Sequence, residues 1–375
     1  MEADLHNKRC TPEAKIPWAK PDFWGREEAY LIQALHSSWI SGGPFVERLE
    51  GYFAEYSDKR YALAVSNGTT ALHLAFLGLG LSPGDEVIIP GFAFLAAANV
   101  ALHMGARPVF VEVDPETWCM DPAKLERCIT NRTRIIVPVH TYGNICAMDE
   151  INEIARTHKV AVVEDAAEAF ASTYRGRQAG STSMIGTYSF QATKTITTGE
   201  GGMVVTNDPG LQERMALYRS HGMAKMRYWH ELPGHNFRLT NLQAALGCAQ
   251  FEALDRIVEE RRRVHANYAA RLQAIDGIAA QKFTPGVDPV LWAMAVKLDT
   301  RAFPQGRDVL MKQMASLGIE TRPGFYAASL LPIYETPGLP VCEDVSRTVV
   351  SLPTFPSLSE EQVDRICKTL NQLRR

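Results

Sequence analysis

Ser189-Phe190-Gln191-Ala192-Thr193-Lys194-Thr195-Ile196-Thr197-Thr198-Gly199-Glu200-Gly201-Gly202, followed at once by the apolar run Met203-Val204-Val205-Thr206, decides how this chain is read. One lysine lies between a strand-like segment ending at Phe190 and a glycine-rich turn. Taken alone, it reads as a surface residue at the end of a strand, because lysines are rarely buried. Held on a stiff frame with little water, the same amine gives up its proton more readily, since desolvation disfavours the ammonium form. A deprotonated lysine is a nucleophile towards aldehydes. The rest of the chain decides between the two readings.

Short apolar runs alternate with amphipathic ones on both sides of that stretch. Strands are expected at 61–66, 86–90, 108–113, 134–140, 160–165, 186–190 and 203–207, and helices at 71–80, 96–104, 122–129 and 148–158. The alternation predicts an α/β layer, a mostly parallel seven-stranded sheet covered on both faces. Near-continuous apolar strands such as Ala161-Val162-Val163 agree with burial on both sides. A long helical pattern runs from Thr240 through Leu246, Leu254 and Ile257 to Leu272 and leads out of this layer. Beyond it, strands at 292–298, 319–322 and 349–352 and helices at 307–317 and 358–373 predict a small α+β domain. Ser357-Leu358-Ser359-Glu360 reads as the capping box of the last helix. The expected division is a large domain over 1–250 and a small one over 251–375, with the N-terminal segment able to pack on the small domain.

Bulk properties narrow the function. At 375 residues the chain exceeds the size at which one core stops growing. A net charge of −3 gives no sign of a nucleic-acid or membrane-surface partner. The basic run Arg261-Arg262-Arg263 follows two glutamates in a helical pattern and reads as a solvated helix face. The seven cysteines are dispersed, with no zinc-type or redox pairs, so no metal is expected, and they fit reduced thiols in the cytoplasm. The first residues, Met1 to His6, show no signal-peptide pattern, and no apolar run approaches the ~20 residues that span a bilayer.

Ligands of α/β sheets bind at the carboxyl ends of the strands. Three such ends carry chemistry here. Ser66-Asn67-Gly68-Thr69-Thr70 ends a strand and opens a helix, so free amides and hydroxyls offer an anion site, or a plain N-cap by Asn67 or Thr69. Val162-Val163-Glu164-Asp165 runs from apolar residues into two acids, one of which must face the strand-end pocket, unless Asp165 simply caps the alanine-rich segment that follows. A carboxylate there needs a cationic partner, and a protonated pyridine nitrogen would serve. The third end is the lysine segment, with Ser189 offering a hydroxyl to the same anion. A phosphate cradle, an acid and a lysine together are what pyridoxal 5'-phosphate requires.

The chain also resembles the DegT/DnrJ/EryC1/StrS family of pyridoxal-phosphate sugar aminotransferases. The resemblance rests on Ser37-Ser38-Trp39-Ile40-Ser41, Ser66 to Leu72, Pro83-Gly84-Asp85-Glu86-Val87, Pro138-Val139-His140, Glu164-Asp165-Ala166-Ala167, Thr198 to Gly202 and His235 to Asn241. It implies the aspartate-aminotransferase-like fold (fold type I), as a homodimer with active sites at the subunit interface. By motif, Lys194 would carry the cofactor's aldehyde and move protons, and Asp165 would pair with the ring nitrogen. Gly68, Thr69 and Ser189 would hold the phosphate, and Phe94 would stack on the ring. Glu168 would lie near the ring hydroxyl, where many relatives have glutamine. Asn236 or Arg238 would reach the partner subunit's cofactor phosphate. Trp39, His221 and Tyr326 are candidate substrate contacts, or packing residues.

Met226 to His230, Gly234 to Arg238, Glu320-Thr321-Arg322-Pro323 and Glu168 most resemble a subgroup that aminates C4 of a GDP-linked 4-keto-6-deoxymannose, with glutamate as amino donor. That subgroup tends to carry a histidine where this chain has Ser329, and a bulkier residue at Gly324. A UDP- or dTDP-linked sugar, or one without a nucleotide, therefore stays open as the substrate. Family members that dehydrate the sugar carry histidine in place of the lysine, so Lys194 argues for transamination. A non-catalytic cofactor-binding relative is the remaining alternative.

Overall fold

The computed structural model describes residues 14–223 and 226–375, so Cys10 and the Met1–His6 segment lie outside the described residues. Seven strands form the main sheet: β1 (Tyr61–Val65), β2 (Glu86–Pro90), β3 (Arg107–Val111), β4 (Thr133–Ile136), β5 (Ala161–Asp165), β6 (Ile185–Ser189) and β7 (Gly202–Thr206). Their order is β1-β7-β6-β5-β4-β2-β3. All neighbours are parallel except β7, which runs antiparallel to both β1 and β6. Side chains alternate between two cores: Val87 and Ile89 face one, Ile88 the other. That is the pattern of a sheet buried on both faces.

A second sheet orders β8 (Ile278–Ala280), β9 (Met294–Leu298), β11 (Val349–Leu352) and β10 (Arg322–Pro323), all antiparallel. It packs with the helices Gly306–Ser316 and Glu360–Gln372 around a third core that includes Val264, Tyr268, Val296, Leu310 and Ile366. Ile16 joins this core and bridges Ile319, and the Trp18 indole donates to Ser351 Oγ at 2.9 Å. No helix among the described residues is long and apolar enough to cross a membrane.

Several local expectations are corrected. The 134–140 strand is shorter, β4 ending at Ile136; Pro138 has no amide to give a ladder, and only Val139 bridges onward to Asp165. The 240–272 pattern is two helices, Asn241–Glu252 and Leu254–Leu272, broken at Ala253 (φ −97°, ψ 9°). The first opens with a capping box between Thr240 and Gln243. The capping box of the last helix lies two residues further on than expected, between Ser359 and Gln362. The segment after Asp165 forms turns and no helix, so Asp165 is not a helix cap. The strand expected at 319–322 reduces to β10, because Ile319 is taken up by Ile16. Arg261 is buried, not solvated. The helices Glu27–His36 and Pro44–Tyr56 precede the first expected element.

Candidate active site

Sheet register gathers the three strand ends at one edge. Val65, the last residue of β1, pairs with Gly202, and Gly202 pairs with Ser189 at the end of β6. Asp165, the last residue of β5, pairs with Thr187 two residues earlier on β6. The carboxyl ends of β1, β5 and β6 therefore open onto one cavity of about 840 Å³. Gly68, Thr69, Phe94, Asp165, Glu168, Ser189 and Lys194 all line it.

The cradle starts the helix Gly68–Leu79. Asn67 is its N-cap, with its side chain accepting from the Thr70 amide at 2.8 Å and its own amide donating to Thr70 Oγ1. This leaves the amides of Gly68 and Thr69 without an intrahelical acceptor, pointing with the positive end of the helix dipole. A Cβ on Gly68 would sit 2.8 Å from Ser189 Cβ, so glycine is what lets the helix start and the Ser189 hydroxyl converge.

Lys194 rides on a closed loop between β6 and β7. The Phe190 amide donates to Gly201 O at 2.8 Å, and the Thr198 amide and Thr197 hydroxyl both donate to Phe190 O at 3.0 Å. The Lys194 amide donates to Gln191 O, and the Trp292 indole N–H donates to Thr193 O at 2.9 Å. The Lys194 ammonium nitrogen lies 3.7 Å from the centre of the Trp292 ring and 3.9 Å from Glu168 Oε1. It makes no hydrogen bond among the described residues. Burial lowers its pKa, opposed by Glu168 and Asp165.

The two acids at the end of β5 face opposite ways. Glu164 points away from the cavity and accepts from Gly180 N, Thr182 Oγ1 and His140 Nε2 at 2.9, 2.9 and 3.1 Å. Burial pushes its pKa up, but those partners, His140 foremost, hold it below the usual carboxylate value. Asp165 faces the cavity, where burial raises its pKa despite the Ala167 amide and the charges of Lys194 and His140. Glu168 accepts from the Tyr142 amide at 3.0 Å, and burial lifts it to about 7.

These residues fit pyridoxal phosphate. The free amides beside Ser189 suit its phosphate, the Asp165 carboxyl accepts only from the Ala167 amide among the described residues and can take a protonated ring nitrogen, and Lys194 is an unbonded, deprotonation-prone amine.

Five residues singled out in the sequence do not line the cavity of one protomer. Arg238 bridges Val65 beside the cradle but is exposed, as is Asn236. Trp39 is exposed, with its carbonyl accepting from Asn241. His221 lines a separate surface pocket with His230 and Glu231, and Tyr326 is half exposed beneath the Arg307 guanidinium. Ser329 donates to Glu343 at 2.8 Å, and Gly324 lies against Val349.

Tyr142, Trp292, Phe325 and Trp18, all in the lining, were passed over in the sequence, and Glu200 and Arg322, also in the lining, were left as motif residues without a role. The Tyr142 ring is stacked at 5° on Phe325 and at 12° on Trp292. Its φ of +61° is uncommon for a bulky side chain and was the one signal a backbone could have given.

A family model described as the DegT/DnrJ/EryC1/StrS aminotransferase family matches residues 22–371. The chain is 41% identical over 361 residues to the GDP-perosamine synthase of Escherichia coli O157:H7, covering 95% of this chain and 98% of that protein. It is 42% identical over 365 residues to the GDP-perosamine synthase of Caulobacter vibrioides, covering 96% and 98%. Among solved structures, a protein described as a sugar aminotransferase, Spr1654 from Streptococcus pneumoniae, superposes in its PMP form with a TM-score of 0.91 at 26% identity, covering 96% of this chain and 97% of that one. The same protein is also known in a PLP form. The chain belongs to the DegT/DnrJ/EryC1/StrS aminotransferase family and is a pyridoxal-phosphate-dependent sugar aminotransferase.

Proposed function

We propose that this enzyme moves an amino group from glutamate to C4 of a GDP-linked 4-keto-6-deoxy sugar. The near-full-length likeness to two GDP-perosamine synthases carries this reading. The cofactor, when bound, supplies an aldehyde that takes up the amino group and a ring that accepts electrons from the substrate carbon. The protein's own groups do the rest. Gly68, Thr69 and Ser189 anchor the phosphate at the helix start. Asp165 keeps the ring nitrogen protonated. Lys194 would hold the aldehyde between turnovers, and its Nζ would take the proton from the donor carbon and give one to the sugar carbon. The aromatic wall of Tyr142, Phe325, Trp292 and Trp18 keeps water from that end of the cavity.

We further propose a homodimer in which Asn236, Arg238, Trp39 and His221 complete the partner's site. Asn236, Arg238 and Trp39 are exposed, His221 lines a separate surface pocket, and none lines the cavity of its own protomer, which supports this. The division into a large domain over 1–250 and a small one over 251–375 belongs to the same proposal, as does a cytoplasmic location, which fits the six free cysteines among the described residues.

The test is a panel of keto sugars offered to the amine-form enzyme, scored by return of the aldehyde-form absorbance. GDP-4-keto-6-deoxymannose should restore it fastest. If it fails while a UDP- or dTDP-linked ketone reacts, the GDP assignment is wrong.

A further inference from the structure

Lys194, Asp165 and Glu168 share the inner end of the cavity, and only the first two have tasks that need their ionised or basic forms. Glu168 is 3% exposed. One of its oxygens accepts from the Tyr142 amide at 3.0 Å, and the other lies 3.9 Å from Lys194 Nζ. A side-chain amide in its place would satisfy the Tyr142 N–H equally well and would avoid burying an ionisable group. Packing therefore does not account for an acid. What a carboxyl holds and an amide does not is an exchangeable proton.

We propose that Glu168 is the proton store of the reaction, lending a proton to Lys194 and taking it back. This rests on the reading of Lys194 as the lysine that carries the cofactor and moves the substrate proton. In the loan, the O–H bond of Glu168 breaks as an N–H bond forms on Lys194; the return is the reverse, and nothing is oxidised or reduced. A gap of 3.9 Å closes by a small side-chain adjustment or one bridging water. The chemistry calls for such a store. In the sugar half-reaction the ketone oxygen leaves as water and collects two protons, while the incoming nitrogen gives protons up. A group able both to give and to take prevents either charge from building up in a buried space.

The surroundings suit the role. Lys194 and Asp165 act on Glu168 most strongly among the charged groups, and the buried Tyr142 hydroxyl belongs to the same wall. Arg322 and Glu200 line the cavity further round, and His140 is engaged with Glu164. Burial raises Glu168 to about 7, with Lys194 and the Tyr142 amide acting against it and Asp165 with it. Below that pH the group is a donor; above it, an acceptor; near it, both forms are present.

The experiment compares loaded wild-type enzyme with Glu168→Gln and Glu168→Asp. Wild-type kcat should show a limb near pH 7. In Glu168→Gln that limb should vanish and kcat should fall roughly 10- to 100-fold, with both KM values within about twofold. The pH midpoint of the near-visible absorbance should also drop by about one unit in Glu168→Gln, because a neighbouring carboxylate stabilises positive charge on the lysine nitrogen. Both readouts must move; either one left at its wild-type value overturns the proposal. Should Glu168→Gln fail to fold or load, Glu168→Asp decides, with a retained limb supporting the store and a lost limb overturning it. A near-visible band that survives in Lys194→Ala would instead refute the reading of Lys194, which separates the two failures.

Discussion

Glu164 and Asp165 are neighbours of one chemical type with opposite fates. Successive side chains of a strand point to opposite faces, so β5 delivers one acid to a saturated hydrogen-bond site and the other to the cavity. Glu164 is satisfied by His140, Thr182 and Gly180 and has nothing left to offer. The Asp165 carboxyl accepts only from the Ala167 amide among the described residues, and its unused acceptor capacity is what makes it useful. Asp165→Asn keeps the size and the bond to the Ala167 amide but cannot hold a proton on a ring nitrogen. We expect kcat to fall by roughly 100-fold or more with both KM values little changed, measured by steady-state assay of the loaded variant. An Asn variant with near-normal kcat would remove Asp165 from this role.

At the scale of elements, the cradle depends on how closely a helix start approaches a strand end. Gly68→Ala should leave the helix intact, since alanine is the better helix former. The added Cβ must push on Ser189, 2.8 Å away, and spread the phosphate site. We expect cofactor affinity to fall by about tenfold or more in an absorbance titration, with unchanged far-ultraviolet circular dichroism. The strand ends holding Gly68, Thr69, Asp165, Ser189 and Lys194 were legible in the sequence because each joins an apolar run to a polar turn within a few residues. Tyr142, Trp292 and Arg322 were not, because nothing local marks a side chain that enters the cavity from distant chain. Arg261 was misread for a related reason: three consecutive arginines on a helix point in three directions, and periodicity beside two glutamates does not show which one meets a second core. The break at Ala253 was equally silent, since alanine is ordinarily a helix former.

Across the whole molecule, the helix Leu254–Leu272 ties two cores together: Ile257 packs with the main sheet and Val264 with the small one. Arg261 sits between them, 4% exposed. Its guanidinium donates to Leu291 O, Trp292 O and Lys194 O at 3.1, 3.3 and 3.4 Å, with no carboxylate partner among the described residues. Burial lowers its pKa to about 10, weakly opposed by Asp22. Arg261→Met would take the guanidinium donor from three carbonyls, two of them buried, and we expect a loss of about 3 kcal/mol in urea unfolding, with weaker cofactor retention because the Trp292 and Lys194 segments come loose together. A variant as stable as wild type would show that the seam holds without the charge.

The antiparallel β7 bears on how large molecules come and go. Because β6 and β7 are both knitted into the sheet, the lysine stands on a clasp fastened at both legs and not on a movable lid. Phe94 and Arg322, both exposed, also line the cavity and do not belong to that clasp. Donor and acceptor must react at the one lysine, so each should leave before the other arrives, and a surplus of either one should obstruct its counterpart.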